Sequence, residues 1–264
     1  MLTELKTSLR NLLPRKYQVP AKYWYGHVRR TLECEMELLD HIVNDHDLVI
    51  DVGGNRGVYA YKFWRLGSKV EVFEPNPKCM DVLSAWANGK SSVSLHHVAL
   101  SSCSGSATLH IPIDKLGVEH DASASIEHSD FDIVRDQVVP LKTLDSFAFE
   151  SVKLIKIDVE GHELSVIEGA INTIVTSKPV LLIEIEQRHN KKPISDIFHR
   201  IENFGYQGYF MKKDRLVKLD KLDVLKDQAI ENLNNSDESY INNFLFLDVV
   251  KRERGEYKKL FEGL

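Results

Sequence analysis

From Asp47 onward, short apolar runs alternate with segments of helix length, and few folds tolerate that rhythm. The runs are LVIDV (48–52), KVEVFE (69–74), VSLHHVAL (93–100), LIKIDV (154–159) and VLLIEI (180–185). Strands separated by helices predict an α/β fold around a mostly parallel sheet. Between the third and fourth runs lies a long polar insertion in which ATLHIPI and QVVPL read as two shorter strands, and the remainder as a binding loop. Beyond Pro193 the pattern predicts a helix over Ile194–Phe204, a strand YQGYFMK, a polar excursion at 232–243 and a last strand NFLFLDVV. The last two strands are expected to pair like a hairpin and close one edge.

Residues 1–47 read as a helical extension. Leu2, Leu5, Leu9 and Leu12 or Leu13 share one face, and a second amphipathic stretch runs from Arg30 to Val43. Lys6, Arg10, Arg15, Lys16, Lys22, Arg29 and Arg30 make this preface locally cationic, suited to an anionic acceptor, to a membrane surface or simply to solvent. Tyr23, Trp24 and Tyr25 offer either sugar-stacking surfaces or core aromatics. The extension and the insertion are expected to cover the acceptor.

A chain of 264 residues with 43% hydrophobic and 28% charged residues has the composition of a globular protein. Its net charge of −5 argues against a nucleic-acid substrate. No apolar run approaches the roughly 18 residues of a membrane span, and the opening lacks a signal-peptide core, which predicts a cytoplasmic protein. Cys34, Cys79 and Cys103 are widely spaced, odd in number and without CxxC pairing, so neither a disulfide framework nor a zinc site is indicated. The oligomeric state is left open.

The first run leads into Asp51-Val-Gly-Gly-Asn-Arg-Gly57 and then a helix-compatible stretch. Glycines let such a loop turn sharply and let a ligand approach the backbone, while the helix start offers free amides. The spacing is D-x-G-x-x-x-G, with Val52 where a dinucleotide fingerprint has its first glycine, so a pyrophosphate loop is the weaker match. Glu74 ends the second run 23 positions after Asp51, near the separation at which an acid accepts hydrogen bonds from a ribose diol. Two carboxylates there suit a ribose with a cationic aminoacyl sulfonium better than a phosphate.

Asp158 and Glu160 end the fourth run and are followed by Gly161, His162 and Glu163. Ligands in open α/β sheets lie beyond the carboxyl ends of the strands, so Asp158, Glu160 and His162 form the candidate catalytic centre. Capping of the next helix is the alternative role for the carboxylates, and carboxylates two apart can also hold a divalent cation. Glu184, Glu186 and His189 end the fifth run nearby, and DASASIEH (121–128) offers further polar groups.

Six segments in order resemble the FkbM-type methyltransferases: VIDVGGNRGVY (49–59), FEPNP (73–77), VALSSCSGSATL (98–109), LKTLDS (141–146), LIKIDVEGHELSVIEGA (154–170) and LLIEIE (181–186). The resemblance covers most of 48–187 and assigns 48–264 to one such domain. It implies a Rossmann-like class I methyltransferase fold with a seven-stranded sheet of order 3-2-1-4-5-7-6, S-adenosylmethionine as cofactor, and methylation of an oxygen on a sugar, glycan precursor or related secondary metabolite. Asp51, Gly53, Gly54, Asn55, Gly57, Glu74 and Asn76 are the cofactor-binding residues it implies. Gly54 departs from the alanine common in the family. Two other readings stay open: a nicotinamide-dependent oxidoreductase, which lacks its glycine and a visible proton relay, and a noncatalytic cofactor-binding module on the same fold.

Overall fold

The structure is a computed structural model that describes residues 13–115, 117–127, 133–232 and 240–262. The leucine stripe expected over the first twelve positions, His128, and the Asn/Ser-rich stretch from 233 to 239 lie outside the described residues. In chain order the first elements are α1 (Arg15–Arg29), α2 (Glu35–Ile42), β1 (Leu48–Val52), α3 (Val58–Arg65), β2 (Lys69–Phe73), α4 (Pro77–Ala87) and β3 (Val93–His96). The insertion follows as β4 (Ala99–Leu100), β5 (Gly105–Pro112) and β6 (Val134–Lys142). Then come β7 (Val152–Ile157), α5 (Glu163–Glu168), α6 (Ile171–Ser177), β8 (Val180–Glu184), α7 (Ser195–Glu202), β9 (Tyr206–Met211), β10 (Leu216–Lys218), α8 (Val224–Asp227), β11 (Asn243–Asp248) and α9 (Val249–Glu253).

Main-sheet order is β10-β9-β11-β8-β7-β1-β2-β3, with β11 antiparallel to both β8 and β9. This corrects the expected seven strands to eight. The extra strand, β10, pairs antiparallel with β9 and adds to the edge of the 3-2-1-4-5-7-6 arrangement. Alternation divides each buried strand between two layers. Val49, Leu154, Val180 and Leu182 pack with Val19, Tyr23, Leu39, Phe63 and Leu83 on one face, so α1 and α2 share a core with α3 and α4. Ile50, Ile155, Leu181 and Ile183 pack with Val166, Ile174 and Phe198 on the other.

The run 93–100 is two strands. Val98 N–H bonds His96 C=O (2.9 Å), turning the chain so that β3 stays in the main sheet and β4 joins β6 and β5 in a separate three-stranded sheet with its own core of Leu109, Ile111 and Val139. The fourth run ends as a strand at Ile157, which leaves Asp158 and Val159 in the turn beyond the sheet. Side-chain caps start two of the helices. Asn76 Oδ1 accepts from Lys78 N–H (3.0 Å) with Pro77 at the first position of α4, and the Asp145 carboxylate accepts from Asn172 and Thr173 N–H at the start of α6.

Candidate active site

The loop from β1 to α3 is held by its own backbone and by Glu74. Gly53 has φ +79°, and a Cβ there would lie 1.8 Å from the Asp158 carbonyl oxygen, so the glycine loop and the Asp158 turn touch only because Gly53 has no side chain. Gly54 packs on Val72, and Gly57, at φ +73°, opens α3. Glu74, only 5% exposed, accepts from Asn55 N–H and Asn76 N–H at 2.6 Å each. Burial outweighs those two bonds and pushes its carboxyl up to about 7. Arg56 donates to Asp121 through Nε (3.0 Å) and Nη2, and Asn76 Nδ2 reaches the same carboxylate at 3.4 Å. The insertion is thereby tied across the glycine loop.

Asp51 faces the other way, into the layer of α1 to α4. It is 2% exposed, and its Oδ2 has no hydrogen-bond partner among the described residues. Burial raises its pKa to about 7 against the pull of Lys156, which stands directly opposite in the β1–β7 register.

Two cavities meet at this point. The first is lined by Gly53, Asn55, Glu74, Asp121, Ser125 and His162. The second is lined by Lys22, Glu33, Asp51, Tyr59, Lys156 and Glu184. Gly53, Asn55, Asp158 and Glu160 line both, so the two predicted catalytic carboxylates stand at the junction. The insertion borders the first cavity through Asp121 and Ser125, whereas the extension borders the second through Lys22 and Glu33. Tyr23 is buried against Tyr61, and Trp24 and Tyr25 are exposed on α1.

The three catalytic candidates have different surroundings. Asp158 is raised by burial, with Lys156 opposing. Glu160 occupies the left-handed region (φ 53°), and burial followed by repulsion from Asp158 and Glu186 lifts its pKa to about 8. Its Oε2 lies 3.0 Å from His189 Nε2, which is 3.8 Å from Glu186 Oε1. Donor atoms of Glu160, Glu186 and His189 all fall within 4.8 Å of one another, a spacing that can hold a metal ion. Glu186 is also clasped by Arg188 (2.6 and 2.8 Å) and Tyr240. His162 has both ring nitrogens engaged, Nδ1 with Glu127 (2.6 Å) and Nε2 with Ser101 Oγ (3.0 Å). At the turn before α5 it is the Glu163 carboxylate that accepts Gly161 N–H (2.8 Å).

Sequence reasoning passed over Lys156. Its side chain is 1% exposed, with Nζ 3.3 Å from Asn243 Oδ1, 3.9 Å from Glu184 Oε2 and 5.0 Å over the Tyr59 ring. Tyr59 and Asn243 both donate to Glu33 Oε2. Burial alone would lower the Lys156 pKa, but Asp158, Glu33, Glu184 and Asp51 outweigh it and hold the lysine charged above its ordinary value. A lysine inside the apolar run LIKID was the available signal.

These residues fit a cofactor that carries a ribose and separate positive charges. A buried carboxylate at Glu74 suits hydroxyls, and the orphaned Asp51 oxygen suits an ammonium. The hexuronic acid methyltransferase AglP of Haloferax volcanii is 29% identical over 164 residues, which is 61% of this chain and 65% of that protein. The match thus spans under two thirds of that relative's length. The solved FkbM methyltransferase of Methylobacillus flagellatus KT shares the fold, with a TM-score of 0.51 at 15% identity over 91% of this chain and 57% of that one. The methyltransferase FkbM domain matches residues 51–210, more than half of the chain. The protein with this loop, acid pair and sheet therefore belongs to the FkbM family of S-adenosylmethionine-dependent methyltransferases.

Proposed function

We propose that the protein methylates a hydroxyl oxygen of a sugar, glycan precursor or related metabolite, with Asp158 or Glu160 as the base. The observation that carries this reading is the position of those carboxylates at the junction of the two cavities. The first cavity and the glycine loop would hold the nucleoside of the cofactor, with Glu74 on the ribose and Asp51 on the ammonium. S-adenosylmethionine supplies, when bound, a methyl group on a positively charged sulfur that an oxygen can displace in line. The chain's own task is then to hold the acceptor oxygen about 3–3.5 Å from that carbon and to take its proton. The second cavity takes the amino-acid end of the cofactor at Asp51 and, beyond Asp158 and Glu160, the acceptor, and the name of the Haloferax relative supports a sugar there. His162, committed to Ser101 and Glu127, acts in this scheme as a positioning residue that pins the insertion to the Asp158 turn. The oxidoreductase reading gives way to the family assignment.

One observation favours a metal-assisted version: the clustering of Glu160, Glu186 and His189 donor atoms. A divalent cation there would make Glu160 a ligand and would lower the pKa of the acceptor hydroxyl. Calorimetry with S-adenosylmethionine, its demethylated product and NAD tests the cofactor; a preference for NAD overturns the assignment. With uronate-containing and neutral sugar acceptors, Asp158→Asn and Glu160→Gln are then assayed with and without chelator. A positioned base contributes about 10²–10⁴-fold, so one of these variants should lose that much turnover at saturating cofactor. Near-wild-type rates in both would place the chemistry elsewhere, and loss of activity with chelator alone would select the metal version.

A further inference from the structure

Helix α1 has two apolar faces, and only one of them is used by the core. Val19, Tyr23 and Gly26 are buried against the layer of α3 and α4. On the opposite side Tyr17, Ala21, Trp24 and Val28 fall within about 60° of one another around the helix axis. Tyr17 is 51% exposed, Trp24 43% and Val28 76%, with Tyr25 beside them at 52%. Scattered exposed apolar side chains are ordinary; three large ones on one helical stripe with a fourth beside it are not. The charge of the helix is equally one-sided. Arg15, Lys16, Lys22 and Arg29 belong to α1, which contains no aspartate or glutamate, in a chain whose net charge is −5. On the helical wheel Arg29 and Lys22 lie beyond the Tyr25 edge of the apolar stripe and Lys16 beyond its other edge, while Arg15 turns to Asp81 of α4 (3.3 Å), and Arg65 of α3 stands 4.8 Å over the Trp24 ring.

We infer that this face of α1 docks on a bilayer surface rich in anionic headgroups. An interfacial helix needs an apolar stripe that enters the acyl boundary, Trp and Tyr at headgroup level, and cations on the flanks, and α1 supplies all three. No described helix is long and apolar enough to cross a membrane, so the helix lies along the surface. Lys22, on the flank of the same helix, also lines the second cavity, and docking therefore sets that cavity beside the headgroups. The inference does not depend on which acceptor is methylated.

The test is sedimentation of the full chain with vesicles of phosphatidylcholine mixed with phosphatidylglycerol, against phosphatidylcholine alone, at low and high salt. Binding should require the anionic lipid and weaken with salt. Each basic side chain near such a surface adds about fivefold in partitioning, so Lys16→Glu with Arg29→Glu should cost about 25-fold or more. Trp24→Ser with Val28→Ser should cost about tenfold or more by removing the stripe. Unchanged cofactor affinity by calorimetry shows that these surface variants are folded. The inference is overturned by failure to sediment with the mixed vesicles, or by undiminished binding of the Trp24→Ser, Val28→Ser variant. It is also overturned if the face instead forms a dimer in ultracentrifugation, or binds duplex DNA, without vesicle binding.

Discussion

At the glycine loop nearly every polar group is answered, whereas at the ends of β7 and β8 buried acidic groups crowd together around a single lysine. Glu74 accepts two backbone N–H groups, Asn76 caps α4, and Arg56 meets Asp121. Across the junction, Lys156 stands among Asp51, Asp158, Glu33 and Glu184, and Glu160 is lifted to about 8 by burial and its acidic neighbours. The first region is a finished hydrogen-bonded cradle, the one proposed for the ribose. The second stores electrostatic stress that, on the proposed reading, a cationic ligand would relieve, so that part of the binding energy would come from a deficit left by folding.

The largest test of this contrast removes the lysine. Lys156→Met keeps the length of the side chain and deletes the one charge at the centre of the network. Breaking a buried ion cluster by taking out one partner costs about 3–5 kcal/mol, because the remaining carboxylates lose their counter-charge. Urea unfolding of the ligand-free variant should show a loss of this size. A change below about 1 kcal/mol would mean that the lysine charge is not what holds these acids together, and the contrast between the two regions would collapse.

Which parts were legible in the sequence follows from how local their causes are. The glycine loop, Glu74 and the Asp158-Val159-Glu160 turn each rest on neighbours a few positions away, and the strands around them show as short apolar runs. The Lys156 network does not, because it needs Asp51 opposite Lys156 in one strand pair and Asn243 opposite Glu184 in another, and a register between distant strands leaves no local trace. The same holds for Arg56 with Asp121, 65 positions apart, and for His162 with Ser101 and Glu127. The edge strand β10 was too short, at three residues, for its alternation to register.

A smaller effect separates hydrogen bonding from charge at the cradle. Glu74→Ala removes the acceptor of both Asn55 and Asn76 N–H as well as the expected ribose contact, and should weaken cofactor binding by about 1–3 kcal/mol in calorimetry. Glu74→Gln keeps one acceptor oxygen and should recover part of the loss. If the two variants bind alike, charge dominates at Glu74 and this cradle is electrostatic after all, like its neighbour.

The smallest and most diagnostic effect is a pH dependence. Asp51 is raised from 3.8 to about 7 and Glu160 from 4.5 to about 8, in both cases chiefly by burial. An acid that holds its proton more tightly when folded stabilises the fold fully below its unfolded pKa, and that stabilisation is lost as pH rises through the folded pKa. Ligand-free protein should therefore lose stability between about pH 4 and pH 8. Cofactor affinity should move in the opposite direction, because a sulfonium and an ammonium bind the ionised carboxylates. For each group that must ionise, affinity rises at most about tenfold per pH unit below its folded pKa and levels off above it. Calorimetry from pH 6 to 8.5 should show that rise, and Asp51→Asn should flatten its lower part while Glu160→Gln flattens the part nearest pH 8. A flat profile in the parent protein, with thermal stability also independent of pH over this range, would show that the acids beyond β1 and β7 are already ionised, and that folding leaves no charge deficit for the cofactor to fill.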